Sequence, residues 1–210
     1  MADSPNLVVD EGWWVTGRNQ SGDDYCPFEW TSEIFTGNEW VPGPGHPQNY
    51  SVYSCIVNLN STHTLYTGGD PTWSEAYLFD WIVGDWTPTG SLNAGRLLHG
   101  CVNIGAEGVL VAGGTKDGYL YSVELYDPVQ GIWSKQPNLP TDISNPSDMA
   151  LFNWQGNVIA LFRGKNQIYQ RRFDTSEWNV LEGVQLPVPF GGSVSDKVVL
   201  VPDDLVISCP

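Results

Sequence analysis

The chain has 210 residues, 24 acidic side chains against 9 basic ones, and a net charge of -15. A surface this acidic repels phosphate backbones and anionic headgroups, so nucleic acid and membrane surfaces are excluded as partners, and no apolar run approaches the ~20 residues of a membrane span. A chain this long buries roughly 70% of its unfolded surface, enough for a core that needs no metal or disulfide.

Charged residues make up only 16% of the chain, while glycine (23), proline (15) and tryptophan (10) are abundant, a composition of short strands and frequent tight turns. The first unit, 6–48, opens with two strands between Asn6 and Thr16, the second running from Trp13 into Gly17. A third strand ends at Ile34-Phe35, a turn follows over 36–39, and Trp40 starts a fourth. The second unit, 49–94, repeats the order: Leu65-Tyr66-Thr67 into Gly68-Gly69, then Leu78-Phe79-Asp80, a turn at Gly84-Asp85, and Trp86. In the third unit, 95–142, four strands are expected at 98–104, 109–112, 121–126 and 132–136, with Gly113-Gly114 after the second and Trp133 in the last. The fourth unit, 143–188, runs Val158 to Phe162 into Arg163-Gly164, then Phe173-Asp174 and Trp178. Two further strands are expected between residues 192 and 202, within a closing segment of 189–210.

The tryptophans Trp40, Trp86, Trp133 and Trp178 recur at spacings of 46, 47 and 45, each after a turn that follows an apolar strand end. Several correlated features at one period are the signature of a repeat architecture. The glycine pair after an apolar strand, the Tyr-Asp or Phe-Asp pair and the tryptophan of the last strand together resemble the kelch repeat, over nearly the whole chain. The resemblance implies an all-β fold, a kelch-like β-propeller of four four-stranded blades whose sheet faces stack around an axis. The 189–210 segment is expected to close the ring on the first blade; the alternative is an open piece of a larger propeller, which would expose a sheet edge. Gly17-Arg18 and Arg163-Gly164 depart from the double glycine. The recurring tryptophans are expected to fill the core.

Some kelch-like propellers oxidise sugars or alcohols with copper held by Tyr and His. Here the histidines are His46, His63 and His99, and His46 and His63 fall on opposite sides of the blades. There is no nucleophile elbow, zinc-protease motif or phosphate loop. Asp23-Asp24, Asp70, Asp117 and Asp203-Asp204 follow the glycine-ended strands; a Ca²⁺-binding ring would draw on such loops, but without a calcium-loop spacing turn chemistry explains them better. The chain is therefore read as non-catalytic, with no catalytic residues, metal site or cofactor. Residues placed to line the mouth of a central channel, as candidate ligand contacts, are Arg18, Tyr50, Tyr53, Arg96, His99, Arg163 and Lys165.

Four cysteines form no Cys-x-x-Cys pair, which argues against a zinc site. Cys55 and Cys101 stand at equivalent places of neighbouring innermost strands, where a bridge is feasible; Cys26 and Cys209 would bridge if the tail returns to the first blade. Asn19, Asn49 and Asn60 head glycosylation sequons, and Asn145 is followed by proline. The start, Met-Ala-Asp-Ser-Pro-Asn, has neither the basic region nor the apolar core of a signal peptide. The even cysteine count and the sequons favour an extracellular, secreted chain over a cytosolic one. The expected function is a binding or structural scaffold that meets a protein partner, or a second copy of itself, through loops on one propeller face. The alternatives are a carbohydrate-binding or sugar-processing protein with a site at the channel mouth, and a carrier of an apolar small molecule or pigment.

Overall fold

The structure is a computed structural model, and it describes residues 6–9, 12–18, 30–35, 38–45, 47 and 53–186. Among them every sheet is a four-stranded antiparallel meander, as expected of a kelch-like propeller blade. The chain divides into two compact units, Met1–Leu97 and Leu98–Pro210.

The first unit holds two sheets. One is formed by β1 (Asn6–Val9), β2 (Gly12–Arg18), β3 (Trp30–Phe35) and β4 (Trp40–Pro42), the other by β5 (Cys55–Asn58), β6 (His63–Thr67), β7 (Ala76–Asp80) and β8 (Asp85–Pro88), each in sequence order. The first sheet thus takes all four of its strands from residues 6–42. The segment 189–210, assigned by sequence to ring closure, lies outside the described residues, as do Cys26, Cys209, Asn19, Asn49 and Tyr50. Tyr66 is fully buried, and Trp86 meets it edge-on at 5.9 Å while lying 5.0 Å from Phe79. The Trp86 indole N–H donates to the Gly45 carbonyl at 2.6 Å, tying the second sheet to the segment that follows the first.

The second unit repeats the design with β9 (Gly100–Asn103), β10 (Val109–Ala112), β11 (Val123–Asp127) and β12 (Ile132–Gln136), then β13 (Met149–Trp154), β14 (Asn157–Phe162), β15 (Gln167–Arg171) and β16 (Trp178–Gln185). β10 is buried along its whole length and β14 along nearly all of it. Inner strands covered on both faces are expected to be continuous apolar runs rather than alternating ones. One core joins the two sheets, with Leu110, Ala112, Leu139, Ile143, Met149, Ala160, Phe162 and Tyr169 in a single cluster. β10 and β12 match their expected bounds, whereas β9 and β11 are shorter.

The motif residues have separable physical roles. Gly68 and Gly113 share φ +67°, and Gly69 and Gly114 lie at +88° and +93°, a left-handed backbone natural to glycine. In both repeats the second glycine donates its N–H to a carbonyl just ahead of the next innermost strand: Gly69 to Arg96 at 2.9 Å, Gly114 to Pro146 at 2.8 Å. The aspartates close the turns between third and fourth strands. Asp80 Oδ1 accepts from the Ile82 and Val83 amides, and Asp127 Oδ1 from Val129 and Gln130. These backbone donors hold both carboxyls below the usual aspartate range.

Two expectations need correction. In the fourth repeat the motif is not Phe173-Asp174. Trp178 pairs with Arg171, as Trp133 pairs with Tyr126 and Trp86 with Phe79, so Arg171-Arg172 occupy the aromatic-Asp places. Phe173 is left in the turn, 60% exposed. Burial pushes the Arg171 guanidinium down, with Glu107 opposing the shift, and it donates to Ser176 Oγ at 2.9 Å and Gln136 Oε1 at 3.3 Å. Nor is every repeat tryptophan core: Trp133 and Trp178 are buried and Trp86 half-buried, but Trp40 is 52% exposed. Its strand is only three residues long and turns Trp40 and Pro42 outward with only Val41 half-buried.

Candidate binding surface

In an antiparallel four-stranded blade, the loop between the second and third strands emerges at the same sheet end as the loop leading to the next blade. The short turns between first and second, and third and fourth, strands emerge at the other end. In the second unit this gathers three loops, 113–122, 137–148 and 163–166, at one end of its two sheets.

The 137–148 loop is clamped from both sides. On the β10–β11 side, the Leu139 N–H donates to the Tyr121 carbonyl at 2.8 Å, and the Tyr121 hydroxyl donates to the Ile143 carbonyl at 2.7 Å. On the β14–β15 side, the Tyr169 hydroxyl donates to Asp142 Oδ2 at 2.8 Å, and Lys165 Nζ donates to the Asp142 carbonyl at 3.1 Å. Burial first, and then the bond to Asp142, holds the Tyr169 phenol protonated far above its ordinary range. Arg163 donates its backbone N–H to the Asp148 carbonyl, and its guanidinium lies 3.6 Å from the Asp148 carboxylate. Leu139 and Ile143 anchor the loop in the core, leaving Thr141, Asp142 and Ser144 exposed.

Beside it, residues 115–119 fold into a small hairpin with a bridge between Thr115 and Tyr119 and a bond from Thr115 Oγ1 to the Gly118 carbonyl at 3.0 Å. It carries Lys116, Asp117 and a 54% exposed Tyr119. The first unit repeats the backbone ties: Leu92 N–H donates to the Ser74 carbonyl at 2.8 Å and Arg96 N–H to that of Trp73 at 2.7 Å.

The candidate contacts read from sequence are distributed unevenly. Arg163 and Lys165 come together around the 137–148 loop. Arg96 is completely buried, its Nε donating to the Ala94 carbonyl at 3.2 Å, and His99 is buried ahead of β9. Tyr53 is 39% exposed with a left-handed φ of 60°, just before β5. Arg18 ends β2. Asp70 and Asp117 lie in their expected loops after β6 and β10, and Asp23-Asp24 and Asp203-Asp204 fall outside the described residues. Tyr119 and Thr141 also stand on these loops, and neither belongs to a repeated motif. Only the length of the segment between Gly114 and the third strand hints at an extra hairpin there.

Cys55 and Cys101 are disulfide-bonded, the outcome expected for that pair. Among the described residues no group of three or more His, Cys, Asp or Glu side chains is placed to hold a metal, and no helix is long and apolar enough to cross a membrane.

The kelch motif matches residues 96–140, the third repeat. Among solved structures, that of the protein YjhT aligns with 90% of this chain and 67% of its own, at 13% identity and a TM-score of 0.67. At that identity the likeness is one of fold. None of the curated proteins matches the sequence.

Proposed function

We propose, from the premise that this is a kelch-repeat protein, that it is a non-catalytic binding module. It meets a protein partner through the loops that join second to third strands and blade to blade. The observation that carries this reading is the clamped 137–148 loop with the Tyr119 hairpin beside it. A surface held by hydrogen bonds from both flanking sheets loses little conformational entropy on binding. It presents an exposed tyrosine, a residue type enriched in the contacts that dominate interface energy. Arg163 and Lys165 flank the loop as positive contacts on a chain of net charge -15, so they contribute to partner choice as well as to loop geometry. Arg96 and His99, being buried, enter this reading as supports for the surface. An extracellular setting is part of the proposal and is supported by the disulfide-bonded Cys55 and Cys101, since such bonds persist in oxidising compartments.

The test compares Tyr119→Ala and Ser144→Lys with Val129→Lys, a change in the turn at the other end of the same sheet, in pull-downs from the protein's own extracellular milieu. A partner lost with the first two and kept with the third supports the reading. A partner lost only with Val129→Lys places the interface elsewhere. Turnover on sugar, ester or alcohol panels would end the non-catalytic claim.

A further inference from the structure

We propose that Asn60 is the acceptor of an N-linked glycan, joined at Nδ2 when the chain passes through a secretory lumen, an inference that rests on the extracellular reading above. Asn60-Ser61-Thr62 is an acceptor sequon at the tip of the β5–β6 hairpin, with Asn60 and Ser61 exposed. The side-chain oxygen of Asn60 is fully engaged: Oδ1 accepts from the Thr62 N–H at 2.8 Å, the Thr62 hydroxyl at 2.9 Å and the His63 N–H at 2.9 Å. The three donors on Oδ1 fix the carboxamide by its oxygen, and the residue that carries Nδ2 is exposed.

The chemistry uses that arrangement. Nδ2 bonds to the anomeric carbon of an oligosaccharide carried on a polyisoprenyl pyrophosphate. The carbon–oxygen bond to the pyrophosphate breaks, the pyrophosphate leaves with the electron pair, and one amide proton passes to a carboxylate of the transferase. As that proton departs, negative charge spreads onto Oδ1, where three donors already stand to stabilise it. All three donors lie within three residues of Asn60, so the turn forms from local contacts and is open to a chain whose distant strands have not yet paired.

A second site in the chain shows what the local bonds cannot do alone. Asn145 Oδ1 accepts from the Ser147 N–H at 3.0 Å and the Ser147 hydroxyl at 2.7 Å, nearly the same pattern. There Pro146 occupies the middle position, and both Pro146 and Ser147 are buried, so no acceptor is presented. Asn60 combines the turn with a permissive centre and exposure. It also sits at the opposite end of its sheet from the 68–75 and 89–99 loops, so a glycan there leaves them uncovered.

The experiment is translation of the full chain behind a cleavable secretion signal in the presence of microsomes, with peptide mass spectrometry of the protease-protected product. The expected result is conversion of Asn60 to Asp by a peptide N-glycosidase, which hydrolyses the bond between the side-chain carbonyl carbon and Nδ2, with Asn60→Gln and Thr62→Ala each running one glycan lighter on a gel. A protease-protected wild-type chain with Asn60 unmodified overturns the proposal, whether or not either variant folds. Localisation of the natural chain in its own cells is a separate measurement: a cytosolic chain defeats the extracellular reading, while the microsome result still decides whether Asn60 is an acceptor.

Discussion

Replacing Gly113 by alanine isolates what the first glycine of the pair does. Its φ of +67° costs an L-residue about 1–2 kcal/mol. An added Cβ would also press on the Pro146 carbonyl oxygen and come within 3.0 Å of the Met149 methyl. That carbonyl accepts the Gly114 N–H, the tie from β10 to the approach of β13. Relieving the clash therefore strains or breaks a buried hydrogen bond, adding about 1–3 kcal/mol of overpacking and roughly 1 kcal/mol for the bond. The total expected is about 3–6 kcal/mol. Gly156→Ala is the control: its φ is +80°, yet a Cβ there would meet nothing within 4 Å, so only the conformational ~1–2 kcal/mol should be lost. Urea denaturation followed by tryptophan fluorescence, with slopes checked for equality, reads both. Equal losses for the two variants would show that the contact with Pro146 is not what Gly113 protects, and the account of the glycine pair would fail.

The tryptophans should separate by burial. Trp133→Ala, buried with its ring 5.0 Å from Tyr126, should cost about 3–5 kcal/mol. Trp40→Ala, at an exposed position, should cost less than about 1 kcal/mol, and matching denaturation midpoints for the two would contradict the burial pattern. Cys55 and Cys101 lie 46 residues apart, and in the loop-entropy account reduction of their bond should remove about 4 kcal/mol; a midpoint indifferent to reductant refutes this. Asp80 and Asp127 have folded-state pKa values depressed by backbone donors. Their contribution is therefore present above the unfolded-state value of about 3.9 and is lost as pH falls through the lower folded value. Replacing both with Asn should flatten the acid-side fall of stability in that window, and an unchanged pH profile would count against the turn-capping role.

The period of the chain was legible because the features that set it are local. Asp80 and Asp127 cap amides two and three residues ahead, and the tryptophans sit at fixed offsets from those turns. Apolar runs long enough to be buried on both faces could be read to the residue, as β10 was. Where the reading slipped, a long-range constraint had displaced a local one. Phe173-Asp174 copies the motif in letters, yet the register of β15 with β16 is set by Arg171 opposite Trp178. Asp174 instead takes the Arg172 guanidinium at 2.7 Å. Tyr121 was read as the start of a strand, but its carbonyl and hydroxyl both serve the 137–148 loop, so the ladder begins two residues later.

The candidate surface was the least legible part, and the equivalence of Arg96 and Pro146 shows why. One is a buried cation and the other an imino acid, yet each supplies the same thing at the same place: a backbone carbonyl for the second glycine of the preceding repeat. A tie that asks only for a carbonyl leaves no trace in side-chain identity. The loops between such ties are free to vary in length and chemistry while their ends stay fixed. Thr141, Ser144 and Tyr119 stand on loops held this way, with their anchors, Leu139 and Ile143, reading in sequence as isolated apolar residues among prolines. Geometry fixed by main-chain bonds and chemistry written in unconstrained positions is how a repeat frame accepts new partners without losing its fold. For the same reason the frame can be read from one sequence, whereas the surface it presents had to be seen.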